Sequence, residues 1–125
     1  MLMKKLVTLI LVLAGIVGTA SAKTIYLVNN WGKTNLNLYL FTGGDEKAAW
    51  PGTAISPRGY LDGSTSYYEL DLESYSTFII NYDDSGDGNK QTANLTSGDY
   101  TEGGFYQFKW VDGTGTILED YSETV

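Results

Sequence analysis

The stretch Leu36–Thr42, LNLYLFT, decides the fold class. Apolar and other residues alternate along it, and successive side chains of a β-strand point to opposite faces. The predicted inward set is Leu36, Leu38 and Leu40, and the predicted outward set is Asn37, Tyr39 and Phe41. The alternation therefore predicts a strand with leucines facing a core and two aromatic rings on the opposite face.

Similar short runs recur along the chain after residue 22, separated by segments rich in Gly, Asp, Asn and Pro, and none keeps a helical period. The predicted strands are Thr24–Asn30, Leu36–Thr42, Tyr67–Leu72, Ser76–Asp83, Lys90–Leu95, Phe105–Asp112 and Thr116–Asp120. Short strands at this spacing predict an all-β fold, an antiparallel β-sandwich of immunoglobulin-like or jelly-roll-like type.

Two of these strands refine the prediction. In YYELDL, alternation sends Tyr68, Leu70 and Leu72 to the core. It leaves Tyr67, Glu69 and Asp71 outside. In the strand at Ser76–Asp83 three consecutive apolar residues, FII, leave the register open and indicate a central position in a sheet.

Residues 1–22 have the pattern of an export signal. Lys4 and Lys5 precede an apolar run, and the segment ends in ASA at Ala22. The run is short for a membrane span. The sequence therefore predicts a signal peptide at 1–22, a single domain at 23–125, and secretion to the extracellular space with no membrane partner.

The charge of the predicted domain restricts its partners. Without Lys4 and Lys5, six basic side chains stand against fifteen acidic ones, a formal charge of −9. Proteins bind nucleic acid and other polyanions by neutralising them with Lys and Arg. A neutral ligand therefore fits better, and nucleic acid is excluded as a partner.

The residue types restrict the chemistry further. The chain has no His and no Cys, which removes most hydrolytic triads, thiol chemistry, and zinc sites built on imidazole or thiolate. A glycosidase would need two carboxyls across a cleft, and a domain of this size has little room for one. We therefore expect no enzyme activity and no cofactor.

Aromatic residues are abundant, with ten Tyr, four Phe and three Trp. Trp50 directly precedes a Pro-Gly turn that follows the strand of Tyr39 and Phe41, so the chain can return it to their face. A sugar ring stacks its C–H face on such a plane, and removing about 60 to 80 Å² of apolar surface from water contributes about 1.5 to 2 kcal/mol. The alternative is structural, with Trp50 closing one end of the core.

Three motifs occur in order: NLNLYLFTGGDEKAAWPGTAI, YYELDL and FIINYDDSGDGNKQTANL. Together, over about Thr24 to Leu95, they resemble the starch-binding carbohydrate-binding module family 26. The resemblance implies a β-sandwich that binds α-1,4-glucans, such as starch, maltooligosaccharides or glycogen, without catalysis. Since such modules commonly accompany amylases or adhesion proteins, it also implies a separate amylase or cell-surface protein as a partner.

The resemblance also implies the site. Tyr39 and Trp50 match the aromatic platform, and Phe41 occupies a position that can also be aromatic. Gln91 of the QT pair matches a polar residue whose amide can donate to and accept from sugar hydroxyls. Lys90 is a secondary candidate, or a solvated charge at the end of a turn; alternation places it on the face opposite Gln91.

Two other interpretations concern loops and the C-terminal region. DDSGDGN at Asp83–Asn89 has part of a calcium-loop spacing, but its position 12 is Asn94 and no helices flank it, so we predict a hairpin turn and no metal. Phe105, Phe108 and Trp110 are expected to pack partly against the core.

The alternative function for the whole domain is a secreted protein-interaction or surface-assembly module without a sugar ligand.

Overall fold

The computed structural model describes residues 22–82 and 90–121. The predicted signal peptide and the predicted hairpin at Asp83–Asn89 lie outside the described residues, apart from Ala22, and remain predictions. The strands are β1 Lys23–Val28, β2 Asn37–Thr42, β3 Asp45–Glu46, β4 Thr53–Ala54, β5 Gly59–Tyr60, β6 Ser66–Glu73, β7 Thr77–Asn81, β8 Leu95–Thr96, β9 Phe105–Val111 and β10 Gly115–Asp120.

The strands form two sheets, which confirms the predicted all-β class. Sheet A has the order β10-β9-β1-β6-β5, and sheet B has the order β3-β2-β7-β8 with β4 also paired to β2. Between them lie the alternating apolar residues, which are buried because each sheet turns one side chain in two toward the other. The core consists of Ile25, Leu27, Leu36, Leu38, Leu40, Tyr68, Leu70, Leu72, Phe78, Ile80, Leu95, Tyr106, Phe108 and Leu118.

The predicted faces of β2 and β6 are confirmed. Leu36, Leu38 and Leu40 are at most 6% exposed, whereas Tyr39 and Phe41 are half-buried on the other face. In β6 the residues Tyr68, Leu70 and Leu72 are buried and Tyr67, Glu69 and Asp71 are not. A local period of two was therefore sufficient to separate inside from outside.

The register of β7, which the sequence left open, has a simple explanation. Phe78 and Ile80 face the core, and Ile79 lies on the outer face, yet all three are buried. Ile79 pairs with Tyr39 of β2. Because the central strand β7 is covered on both faces, its sequence carries no alternation.

The expectation of a purely antiparallel sandwich is wrong for one strand pair. β1 and β9 pair in parallel, with Tyr26 opposite Phe105 and Val28 opposite Gln107. Their partners β6 and β10 restore antiparallel pairing on either side. Alternation fixes which face a side chain occupies but not the direction of the neighbouring strand, so the sequence could not show this pair.

The predicted strand Lys90–Leu95 is interrupted. Gln91 opposes Asn81 and Leu95 opposes Phe78, so this segment contains one residue more than its partner, as in a β-bulge. Within it, Thr92 bridges to Thr116 of β10, which joins the two sheets along one edge. The two-residue strands β3, β4 and β5 lie in segments where the sequence predicted no strand.

Candidate functional site

Three aromatic rings share the outer face of sheet B. Tyr39 and Phe41 are successive outward residues of β2, with ring centroids 5.2 Å apart at 37°. Trp50 comes from the loop between β3 and β4, and its centroid lies 5.1 Å from that of Tyr39 at 68°. All three rings are half-buried. The structure thus brings together the three aromatic residues that the sequence singled out.

A tight turn fixes the backbone next to Trp50. The Gly52 N–H donates to the Ala49 carbonyl across 2.8 Å, and the Trp50–Pro51 peptide is cis. Gly52 has a φ of +98°, and a Cβ there would lie 2.3 Å from the Leu38 carbonyl oxygen. Glycine is required at this position because both the backbone conformation and the contact with β2 exclude a side chain.

A buried asparagine holds this turn against the sheet. Asn81, at the end of β7, is 0% exposed. Its side-chain amide donates to the Pro51 carbonyl across 3.0 Å, and its side-chain oxygen accepts from the Asn37 amide at 3.1 Å. Buried amides are costly unless paired, so these bonds tie the turn to both β2 and β7.

Gln91 lies on the same face. It opposes Asn81 in an antiparallel bridge, and Asn81 opposes Asn37 on β2. Directly opposed residues of an antiparallel pair project to the same side. Asn37, Asn81 and Gln91 therefore form a row of amides across sheet B beside Tyr39, and Gln91 is half-buried.

The backbone carbonyl of Lys90 accepts from the Tyr82 N–H across 3.1 Å. The residue is half-buried. Its role as a secondary ligand contact stays a prediction.

Glu46 is a member of the site that the sequence did not indicate. Tyr39 donates its hydroxyl to the Glu46 carboxylate. This hydrogen bond, together with burial and the carboxylate charge, raises the pKa of Tyr39 above its ordinary value. The signal available in the sequence was the Gly-Gly turn after β2, which brings β3 back along the strand so that Glu46 opposes Phe41.

A separate cavity of about 170 Å³ opens where β2 faces β6, and it contains two carboxylates, Glu69 and Asp71. Both residues are exposed. Glu69 forms an ion pair with Arg58 at 3.1 Å, and Asp71 accepts from the Glu73 backbone N–H at 3.0 Å. A glycosidase acid needs a carboxyl shielded from water, so this pair does not have the required environment.

The expectation that Phe105 and Trp110 pack against the core is wrong, whereas Phe108 is buried as predicted. Phe105 is 41% exposed on the outer face of sheet A and stacks on Tyr26, with centroids 4.8 Å apart at 17°. Trp110 is 62% exposed. By alternation Trp110 shares a face with the buried Phe108, but it lies near the end of β9, where the side chains of the strand are no longer buried.

Within residues 22–82 and 90–121, no group of three or more acidic side chains is arranged to hold a metal ion. The same residues contain no helix long and apolar enough to cross a bilayer.

Comparison with known proteins gives two matches among solved structures. They are the solution structures of the domains CBM25-1 and CBM25-2 of a beta/alpha-amylase from Paenibacillus polymyxa. CBM25-1 is 12% identical with a TM-score of 0.48, and CBM25-2 is 13% identical with a TM-score of 0.49. In each case the match covers 85% of this chain and 99% of the other.

No protein-family model matches the chain, and neither does any curated protein sequence. At such low identities and TM-scores, the two structures assign neither a family nor a ligand to this chain. The ligand must therefore be argued from the residues of the site itself.

Proposed function

We propose that the protein is a non-catalytic carbohydrate-binding module for α-1,4-glucans, of the kind that family 26 represents. The observation that carries the proposal is the pair of rings of Tyr39 and Trp50, 5.1 Å apart and inclined at 68°. Successive glucose units of a curved α-1,4-glucan turn relative to one another, so they suit two inclined planes. A flat β-linked chain would instead need coplanar rings.

The polar groups around the rings support the same ligand class. Gln91 lies on the same face of sheet B as Tyr39. Its side-chain amide can both donate to and accept from sugar hydroxyls. Glu46 adds a carboxylate acceptor beside Tyr39. Phe41 extends the apolar surface next to Tyr39, and Lys90 is proposed as an outer contact. A neutral sugar also agrees with the net charge of −7 of the whole chain, which repels polyanions.

The expected affinity for a glucan follows from stacking on two rings, those of Tyr39 and Trp50. Each stacked ring contributes about 1.5 to 2 kcal/mol. With a few hydrogen bonds, and after the cost of association, the Kd should be roughly 10 μM to 1 mM.

We further propose that the protein is secreted and acts outside the cell, where weak, reversible binding would hold it on starch near a separate amylase or cell-surface protein.

The test is affinity electrophoresis of the purified protein in gels containing amylopectin, combined with calorimetry against maltoheptaose. Retarded migration and a Kd in the stated range are expected, and the same gel with a cellulose derivative should give no retardation. Unretarded migration together with no heat of binding would reject the proposal. The protein-interaction module without a sugar ligand would then be the better description.

A further inference from the structure

A second concave feature lies at one end of sheet A, and its lining does not include the aromatic rings on the outer face of sheet B. It forms where the loop after β1 meets the segment that includes β5 and the start of β6, and it encloses about 360 Å³. We call it the end pocket. Its volume is at the lower end of the range of about 300 to 1,000 Å³ for small-molecule sites. The lining residues that matter here are Asn29, Lys33, Tyr60, Ser64, Ser66 and Tyr68.

Tyr60 gives the end pocket an aromatic wall. The residue is 65% exposed, which is a large apolar surface to leave in water. It opposes Ser66 in the β5–β6 pair, and opposed residues of an antiparallel pair project to the same side. A flat ring therefore stands next to a hydroxyl, the combination that a sugar ring with its C–H face and equatorial hydroxyls requires.

Tyr68 provides an independent observation. It is 1% exposed and lines the end pocket. Among the residues that the structure describes, none forms a hydrogen bond with its hydroxyl. Buried phenol hydroxyls normally have a partner. A ligand hydroxyl in the pocket would supply the missing one.

The walls of the end pocket are held by internal hydrogen bonds. The Asn29 side-chain amide donates to the Lys33 carbonyl at 2.6 Å, and the Asn29 N–H donates to the Ser66 carbonyl at 2.9 Å. On the other side, Asp62 accepts from the Ser64 N–H at 2.8 Å. Because these loops are ordered before a ligand arrives, binding would lose little conformational entropy.

The lining indicates a neutral polyhydroxy ligand. Hydroxyls and an amide form its polar part, and none of the described lining residues is acidic. One lining residue, Lys33, is cationic, but its ammonium group lies 5.0 Å from the ring centroid of Tyr82. From the exposed ring, the buried hydroxyl to which no described residue hydrogen-bonds, and the fixed walls, we propose that the end pocket is a second saccharide site that takes one neutral hexose unit.

The test is a titration of the isotope-labelled protein with maltose, followed by amide chemical shifts in NMR spectra. At concentrations of roughly tens of millimolar, even a millimolar site is filled. The amides of Asn29, Lys33, Ser64 and Ser66 should shift with one common Kd. The titration is repeated in Trp50→Ala, where these shifts should persist because the end pocket shares no residue with the rings of sheet B.

Three variants test the residues of the end pocket. Tyr60→Ala should weaken the Kd of these shifts about tenfold, through loss of the stacking surface, whereas Tyr60→Phe should stay close to the wild type. Tyr68→Phe should weaken it about fivefold without lowering the melting temperature, because none of the described residues hydrogen-bonds to the hydroxyl. Trp110→Ala removes another exposed ring outside the pocket and is the matched control.

The outcomes separate this inference from the proposed function. Shifts at the end pocket alone would support the second site and count against α-glucan binding by Tyr39 and Trp50. Shifts at both places would support both. Shifts confined to the sheet B face, no shifts at all, or end-pocket shifts that Tyr60→Ala leaves unchanged would overturn the inference.

Discussion

Asn81 donates from its buried side-chain amide to the carbonyl oxygen of Pro51, across 3.0 Å. The two residues are thirty positions apart in sequence, and the bond fixes the turn that follows Trp50 to the end of β7. The orientation of Trp50 toward Tyr39 therefore depends on a side chain that is itself inaccessible to any ligand. This relationship predicts that binding can be lost without touching a ring.

Asn81→Ala should remove that support. The Pro51 carbonyl and the Asn37 amide would both lose a partner, at a cost of about 2 to 3 kcal/mol in the free energy of unfolding. Retention in amylopectin gels should fall because the turn is released. Asn37→Ala is the control: it leaves the bond to Pro51 intact and should cost about 1 kcal/mol. Equal retention in the two variants would contradict the assigned role of Asn81.

Trp50→Ala should abolish retention by amylopectin while the fold persists. Trp50 is half-buried, so its truncation should lower stability by about 1 kcal/mol, or roughly 4 to 8 °C in Tm for a domain of this size. Thermal unfolding followed by circular dichroism checks the second quantity. A much larger fall in Tm with retention preserved would show that Trp50 is a core residue and not a platform.

Tyr39 allows the ring to be separated from its hydroxyl. Tyr39→Ala removes a stacking plane worth about 1.5 to 2 kcal/mol, so the Kd for maltoheptaose should rise by roughly ten- to thirtyfold. Tyr39→Phe keeps the plane and loses only the hydrogen bond to Glu46. Calorimetry should therefore place Tyr39→Phe close to the wild type. If the two variants bind equally weakly, the hydroxyl and not the ring makes the essential contact.

Gly52→Ala tests the close contact between the turn and β2. The new Cβ would lie 2.3 Å from the Leu38 carbonyl oxygen, at a φ of +98°. The backbone must shift, and we expect a loss of about 2 to 4 kcal/mol in unfolding free energy, measured by urea denaturation. Gly44→Ala has open space around the added Cβ and should change stability by less than about 1 kcal/mol.

The raised pKa of Tyr100 predicts how the stability of the fold changes in alkaline solution. Burial, and to a smaller extent the charge of Asp99 and the neighbouring Tyr106, raise the pKa of Tyr100 to about 12. The neutral phenol is therefore favoured in the folded state. Its contribution to stability is complete below the ordinary tyrosine pKa of about 10 and is lost as the pH rises toward 12.

An ultraviolet titration checks this prediction. One tyrosine should ionise late, near pH 12, and this step should be missing in Tyr100→Phe. The variant should also lose less stability than the wild type between pH 10 and 12. If both proteins titrate identically, Tyr100 is not the shielded group.

The sequence predicted those parts of the site that depend on local pattern. The alternation in β2 placed Tyr39 and Phe41 outside, and the Pro-Gly turn returned Trp50 to them. It did not predict Glu46, because the two-residue strand β3 is too short to show a pattern. It misplaced Phe105, which alternation along β9 puts on the face opposite Phe108, where the structure has it. It also misplaced Trp110, which shares the face of Phe108, because alternation cannot show where the opposite sheet stops covering a strand.

By itself, the sequence determined that this chain is an all-β protein, which side chains of β2 and β6 face the core, and that neither thiol nor imidazole chemistry is available. These properties follow from residue types and from a strand period that repeats every two residues. The tertiary structure decided the parallel pairing of β1 with β9, the bond from Asn81 to Pro51, and the pocket beside Tyr60 and Tyr68. Each of these joins residues far apart in the chain, and such contacts are set by sheet register and loop packing, which leave no local pattern in the sequence.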